Sequence, residues 1–157
     1  MAGPDALSRF RDAAADLGVE VDPIRFPEET RTAVDAAAAI GCDVAQIVKS
    51  LVFLTPAGAV LALTSGANRV DTNALGRVAG STIERADADA VRTATGFSIG
   101  GTPPFGHPSR LPTYVDADLL AHESVWAAAC APDTVFPIAP DRLVDVTNAV
   151  VADFAER

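Results

Sequence analysis

Apolar residues recur at helical spacing between Asp5 and Leu17, at Leu7, Phe10, Ala14 and Leu17, and Gly18 then stops the pattern. Val19 to Phe26 alternates loosely and predicts a short strand whose central Pro23 places it at a sheet edge. Thr32–Ile40 is alanine-rich and followed by Gly41, which predicts a second helix. Thr32 is its N-cap, and Asp35 completes an imperfect capping box. A strand over Gln46–Leu54 turns through Thr55-Pro56-Ala57-Gly58 into Ala59–Thr64, a hairpin ended by Ser65-Gly66. Asp71 caps a helix that runs through Val78 and stops at Gly80. Ser81–Glu84 suggests a short strand, and Asp87 or Asp89 caps one more short helix before Gly96. Further on come a strand at Thr113–Val115, a short helix at Asp116–His122, and strands at Val125–Cys130 and Val135–Ile138. Pro140 opens a last helix drawn to about Phe154, with Leu143, Val146, Val150 and Phe154 on one face. No repeat, linker or low-complexity run intervenes, so residues 1–157 read as a single α+β (mixed α/β) domain.

Within the strand Gln46–Leu54, alternation puts Ile47, Lys49, Leu51 and Phe53 on one face, so a single charge stands among apolar neighbours. An ammonium held in low dielectric is costly; such a lysine pairs, snorkels or is used. A structural lysine at a strand edge, its stem on the core, is the competing reading. The second feature is Gly96–Pro112, with four glycines and four prolines, too many for regular structure. Long loops of this kind in compact domains are often functional. Gly100-Gly101 is not followed by Gly-Lys-Ser/Thr or by a helix, so it is neither a P-loop nor a dinucleotide fingerprint. What remains is a turn, or a loop stiffened by Pro103, Pro104 and Pro108 that holds backbone N–H groups ready for a carbonyl or oxyanion. His107 in that loop is a general base, a donor, or a pin bonding a backbone carbonyl; the pin is the preferred reading. His122, beside Glu123, is expected in solvent.

Composition narrows the classes. Hydrophobic residues make up 49% of the chain, enough for a core. No apolar stretch is long enough to span a bilayer and the first residues lack a signal pattern, which leads to the expectation of a soluble cytoplasmic protein with no membrane partner. Cys42 and Cys130 form no CxxC and read as free core thiols. With two histidines and no spaced carboxylate pair near them, a metal site is not expected, and no cofactor is called for. The absence of a Gly-x-Ser-x-Gly elbow removes a triad hydrolase. A net charge of −9 argues against a broadly basic nucleic-acid binder, though not against a local basic patch on one RNA end.

Lys49 in Ile-Val-Lys-Ser-Leu-Val-Phe, Thr64-Ser65-Gly66, and the string Thr95-Gly96-Phe97-Ser98-Ile99-Gly100-Gly101-Thr102-Pro103-Pro104-Phe105-Gly106-His107 closely resemble the YbaK/ProX family of aminoacyl-tRNA deacylases. These are akin to the editing domain inserted in bacterial prolyl-tRNA synthetases. The resemblance runs from Thr30-Arg31-Thr32 to the last helix, a core of about residues 30–150. It implies a mixed central sheet forming a barrel-like core with flanking helices, acting in trans on mischarged tRNA without a metal. It further implies that Lys49 orients the terminal adenosine or its phosphate, that Gly100 and Gly101 present backbone groups to the aminoacyl ester, and that Thr32, Ser50, Ser65 and Gly66 shape the amino-acid pocket, with His107 supporting the loop. The implied substrate is Cys-tRNA(Pro) or Ala-tRNA(Pro), and prolyl-tRNA synthetase is the implied protein partner. Some members carry a Gly-Lys-Arg-Gly-like turn where this chain has Cys130-Ala131-Pro132-Asp133. A module that binds an aminoacyl or nucleotide end without hydrolysing it is the alternative, and a general small-molecule esterase a third idea.

Overall fold

The computed structural model describes residues 3–26, 32–131 and 133–156. Along the chain lie α1 (Gly3–Asp16), β1 (Ile24–Arg25), α2 (Ala33–Ile40), β2 (Ile47–Thr55), β3 (Gly58–Ser65), α3 (Thr72–Ala79) and β4 (Glu84–Arg85). They are followed by α4 (Ala88–Thr95), β5 (Thr113–Asp116), β6 (Val125–Ala131), β7 (Thr134–Ile138), α5 (Pro140–Thr147) and β8 (Val150–Ala152). Helix boundaries follow local chemistry. Thr32, Asp71 and Asp87 each accept an N–H of the first turn, and Gly41, Gly80 and Gly96 close α2, α3 and α4 in the left-handed region.

All eight strands join one mixed sheet in the order β1-β7-β6-β2-β3-β5-β8, with β4 attached to β2 off that path. The hairpin β2–β3 is antiparallel with Lys49 opposite Thr64, while β2–β6, β3–β5 and β5–β8 are parallel. No ladder joins β1 to β8 among the described residues, so the edges of the mixed, helix-flanked sheet are not paired with each other there. Alternation sorts the two strands of the hairpin onto two cores. Val48, Val52, Leu61 and Leu63 enter the larger cluster with Phe10 of α1, Phe136 of β7 and Leu143 of α5. Phe53, Val60 and Ala62 pack against Leu75 of α3 and Phe154 on the opposite face.

The structure corrects several expectations. The strand predicted over Val19–Phe26 shrinks to Ile24–Arg25; Val19 and Val21 are buried outside it, and Phe26 is buried with its N–H on the Asp133 carbonyl. The strand predicted over Ser81–Glu84 is instead Glu84–Arg85, fixed by its pairing with Leu54 and Phe53. The last helix ends at Thr147, not near Phe154. Asn148 takes φ 53°, and the chain then runs out as β8 beside β5, with Val150 exposed and Phe154 fully buried. The short helix predicted at Asp116–His122 is a 3-10 turn over Ala117–Ala121, and His122 at its end is half-buried. Cys42 and Cys130 are both free thiols.

A cleft along an open strand edge

The site arises from an interruption in the sheet. On the side of β2 away from β3, β6 pairs at Ile47 and Val48, and β4 pairs at Phe53 and Leu54. The intervening residues Lys49, Ser50 and Leu51 have no strand partner on that side among the described residues. The Ile47 carbonyl accepts from Gly66 on the β3 side, and the Val52 carbonyl accepts from Ala86 on the β4 side. A two-residue period therefore turns the Ser50 amide and carbonyl into the interruption. A cleft of about 880 Å³ opens there, with β2 residues 47–52 as its floor. Thr32, Ala33 and Val34 of the α2 start form one wall, Ile99, Gly100 and Thr102 of the glycine-proline loop another, and Arg85 and Trp126 stand at its sides.

Lys49 is half-buried in this floor and donates to the Asn68 main-chain oxygen at 2.5 Å. Burial lowers its proton affinity below that of an ordinary lysine; Arg69 and Arg85 push the same way and Asp116 opposes them. Two cations, Lys49 and Arg85, thus line one cleft in a chain of net charge −9. The Ser50 hydroxyl oxygen is buried with no hydrogen-bond partner among the described residues.

The loop after α4 is held in shape by its own polar groups and by α1. The Thr95 hydroxyl donates to Val91 and accepts from the Phe97 amide, and the Thr102 hydroxyl donates to Ser98. Phe105 packs tilted against Phe10 and edge-on against Phe136, at 5.4 and 5.8 Å between ring centres. The Arg9 guanidinium lies 5.0 Å over Phe97. Gly100 takes φ +84° and faces the cleft. Gly101 is buried, gives its N–H to the Ser98 carbonyl at 3.0 Å, and lies so near β6 that a Cβ would sit 2.7 Å from the Ala131 Cα.

The residues singled out from sequence therefore separate. Lys49, Ser50, Thr32, Gly66 and Gly100 meet around the cleft, whereas Gly101 packs behind it against β6. Ser65 is buried away from the cleft, its hydroxyl donating to the Ala45 carbonyl at 2.8 Å. His107 faces a separate pocket of about 210 Å³ beside α1, and its Nε2–H donates to the Pro103 carbonyl at 2.8 Å, pinning the loop. Arg85, Asn68 and Asp116 were not anticipated. Arg85 sits in a two-residue strand without periodicity, and Asp116 reads from sequence only as the start of a short helix.

Burial lowers the proton affinity of His107, against the opposing pull of its bond to Pro103. The folded protein therefore holds a neutral ring while the unfolded chain takes up a proton below about pH 6.5, so this contribution to stability is complete above that value and lost on acidification. The thermal midpoint should fall between about pH 7.5 and about pH 5.5, and fall less in His107→Gln, which removes the titrating ring. Parallel melting curves of the two proteins measure this.

An eight-stranded mixed sheet whose interrupted strand forms a lysine-lined cleft beside a glycine-proline loop defines a small mixed α/β domain with an open cleft. Residues 27–146 match the aminoacyl-tRNA editing domain family, and the chain belongs to that family. A crystal structure of a candidate trans-editing enzyme for prolyl tRNA synthetase is 42% identical, with both chains covered in full and a TM-score of 0.94. The crystal structure of APE2540 is 30% identical over 94% of this chain and 99% of that one, with a TM-score of 0.87. YwhH of Bacillus subtilis (strain 168) is 27% identical over 147 residues, 93% of this chain and 94% of its own.

Proposed function

We propose that this chain is a trans-acting deacylase that hydrolyses the ester between a wrong amino acid and the 3′-terminal ribose of tRNA, with prolyl tRNA carrying alanine or cysteine as substrate. The observation that carries the reading is that Lys49 and Gly100 line one cleft. A cation at that place suits the terminal nucleotide, and backbone groups on the positive-φ loop suit the ester carbonyl. Gly101 sets the position of Gly100 by packing on β6. Thr32, Ser50 and Gly66 border the space left for the amino-acid side chain. His107 acts on the loop and not on the ester.

In the reaction, water adds to the acyl carbon, the acyl C–O bond breaks, and the free amino acid and the ribose hydroxyl leave. The ionisable side chains lining the cleft among the described residues are Lys49 and Arg85, both cations. No carboxylate or imidazole there takes the proton from water, which favours catalysis by positioning the ester, a water and the neighbouring ribose hydroxyl of the substrate itself. Partnership with prolyl-tRNA synthetase in the cytoplasm would supply the RNA surface that a chain of net charge −9 lacks.

The test is ester loss from a panel of labelled Ala-, Cys- and Ser-tRNAs, with correctly charged Pro-tRNA as control. Release of alanine or cysteine from prolyl tRNA, with proline spared, is the expected result. A protein in excess that binds these RNAs and releases nothing is the binding module instead.

A further inference from the structure

The Lys49 ammonium makes no ion pair with a carboxylate among the described residues; its acceptor is the Asn68 main-chain oxygen. That oxygen belongs to a turn fixed by the Asn68 side chain, whose Nδ2 donates to Asp116 Oδ2 at 2.9 Å and to Asp118 Oδ2 at 2.8 Å. Asp116 is fully buried. Its Oδ1 accepts the Asp118 N–H at 3.0 Å, which is all that capping the 3-10 turn requires. Its Oδ2 does something else: it receives the Ser65 N–H at the end of β3 as well as Asn68. The second oxygen thus ties the end of β3, the turn carrying Asn68 and the end of β5 to one point behind Lys49. The buried negative charge also opposes Arg69 and Arg85, which both act against a charged lysine.

We propose that Asp116 and Asn68 are positioning residues for Lys49: Asp116 clamps the Asn68 side chain, and the clamped turn presents the carbonyl that aims the ammonium at the nucleotide end of the substrate. The proposal rests on the reading of Lys49 given above. A lysine has a long flexible stem, and a single rigid acceptor restricts it to one orientation before substrate arrives. Neither residue reaches the ester. Their effect is on binding of the RNA end and passes through Lys49.

The measurement is a double-mutant cycle on the full chain. The probe is an RNA hairpin ending in CCA that carries alanine through a non-hydrolysable amide, followed by fluorescence anisotropy, with a thermal melt of every variant. Asn68→Ala, on a partly exposed turn, should weaken binding about tenfold and raise KM more than it lowers kcat. In a Lys49→Met background it should weaken binding no further, while its shift in thermal midpoint is the same in both backgrounds. Asp116→Asn should follow the same pattern; should it not fold, Asn68→Ala decides. Wild-type affinity in Asn68→Ala, or equal weakening with and without Lys49, overturns the clamp and leaves the role of Lys49 standing. Wild-type affinity in Lys49→Met overturns both.

Discussion

Lys49→Ala is expected to lower kcat/KM for deacylation by about a hundredfold or more while the protein stays folded. Truncating one partner of a buried, hydrogen-bonded charged contact costs about 2–5 kcal/mol of binding, about thirtyfold to several thousandfold, and a hundredfold lies within that range. Folding should tolerate the change because burial and two arginines already act against the charge that is removed. The Asn68 carbonyl left behind lies at a partly exposed turn, where water replaces the ammonium. Lys49→Met, which keeps the apolar stem and deletes the charge, should lose activity to a similar extent. Ester release from Ala-tRNA(Pro) and a thermal melt measure both properties. Wild-type turnover in either variant would remove Lys49 from the site.

The second large effect is expected at a residue that does not line the cleft. In Gly101→Ala the new methyl meets the Ala131 Cα at 2.7 Å and the Cys130 carbonyl oxygen at 2.8 Å, both backbone atoms of β6 that cannot rotate aside. The loop must lift from the strand, at a cost of about 1–3 kcal/mol, or a thermal midpoint several degrees lower. Gly100 is the next residue and moves with it. Displacing a positioning group by about 1 Å costs on the order of a hundredfold in rate, so activity should fall much further than stability predicts. An enzyme with unchanged turnover and an unchanged melt would show that the loop does not need its close seat on β6.

Much of the fold was readable because its signals are local. The caps Thr32 and Asp71 and the stops Gly41, Gly80 and Gly96 act within one turn of the chain and sit where sequence placed them, and of the two caps offered for α4, Asp87 is the one used. The failures are non-local. Leu143, Val146, Val150 and Phe154 keep a helical period, yet the free edge of β5 captures Val150–Ala152 as a parallel strand, and Phe154 fills the core beneath Phe53 and Leu75. Periodicity records which residues are buried and not which element buries them. The same limit divided the loop's glycines: Gly100 and Gly101 are alike in sequence, and only packing against β6 separates a cleft wall from a seat.

By itself the sequence determined that a charged Lys49 stands on an apolar strand face and that a stiff glycine-proline loop follows, since both are properties of neighbouring residues. Tertiary structure decided what surrounds them. The interruption between β6 and β4 makes the cleft. The turn after β3 brings the Asn68 carbonyl to Lys49, and β5, about fifty residues further along, delivers the carboxylate that holds Asn68. The physical reason is that a charge in a low-dielectric site is fixed by the groups around it in space, and strand pairing chooses those groups irrespective of their distance along the chain.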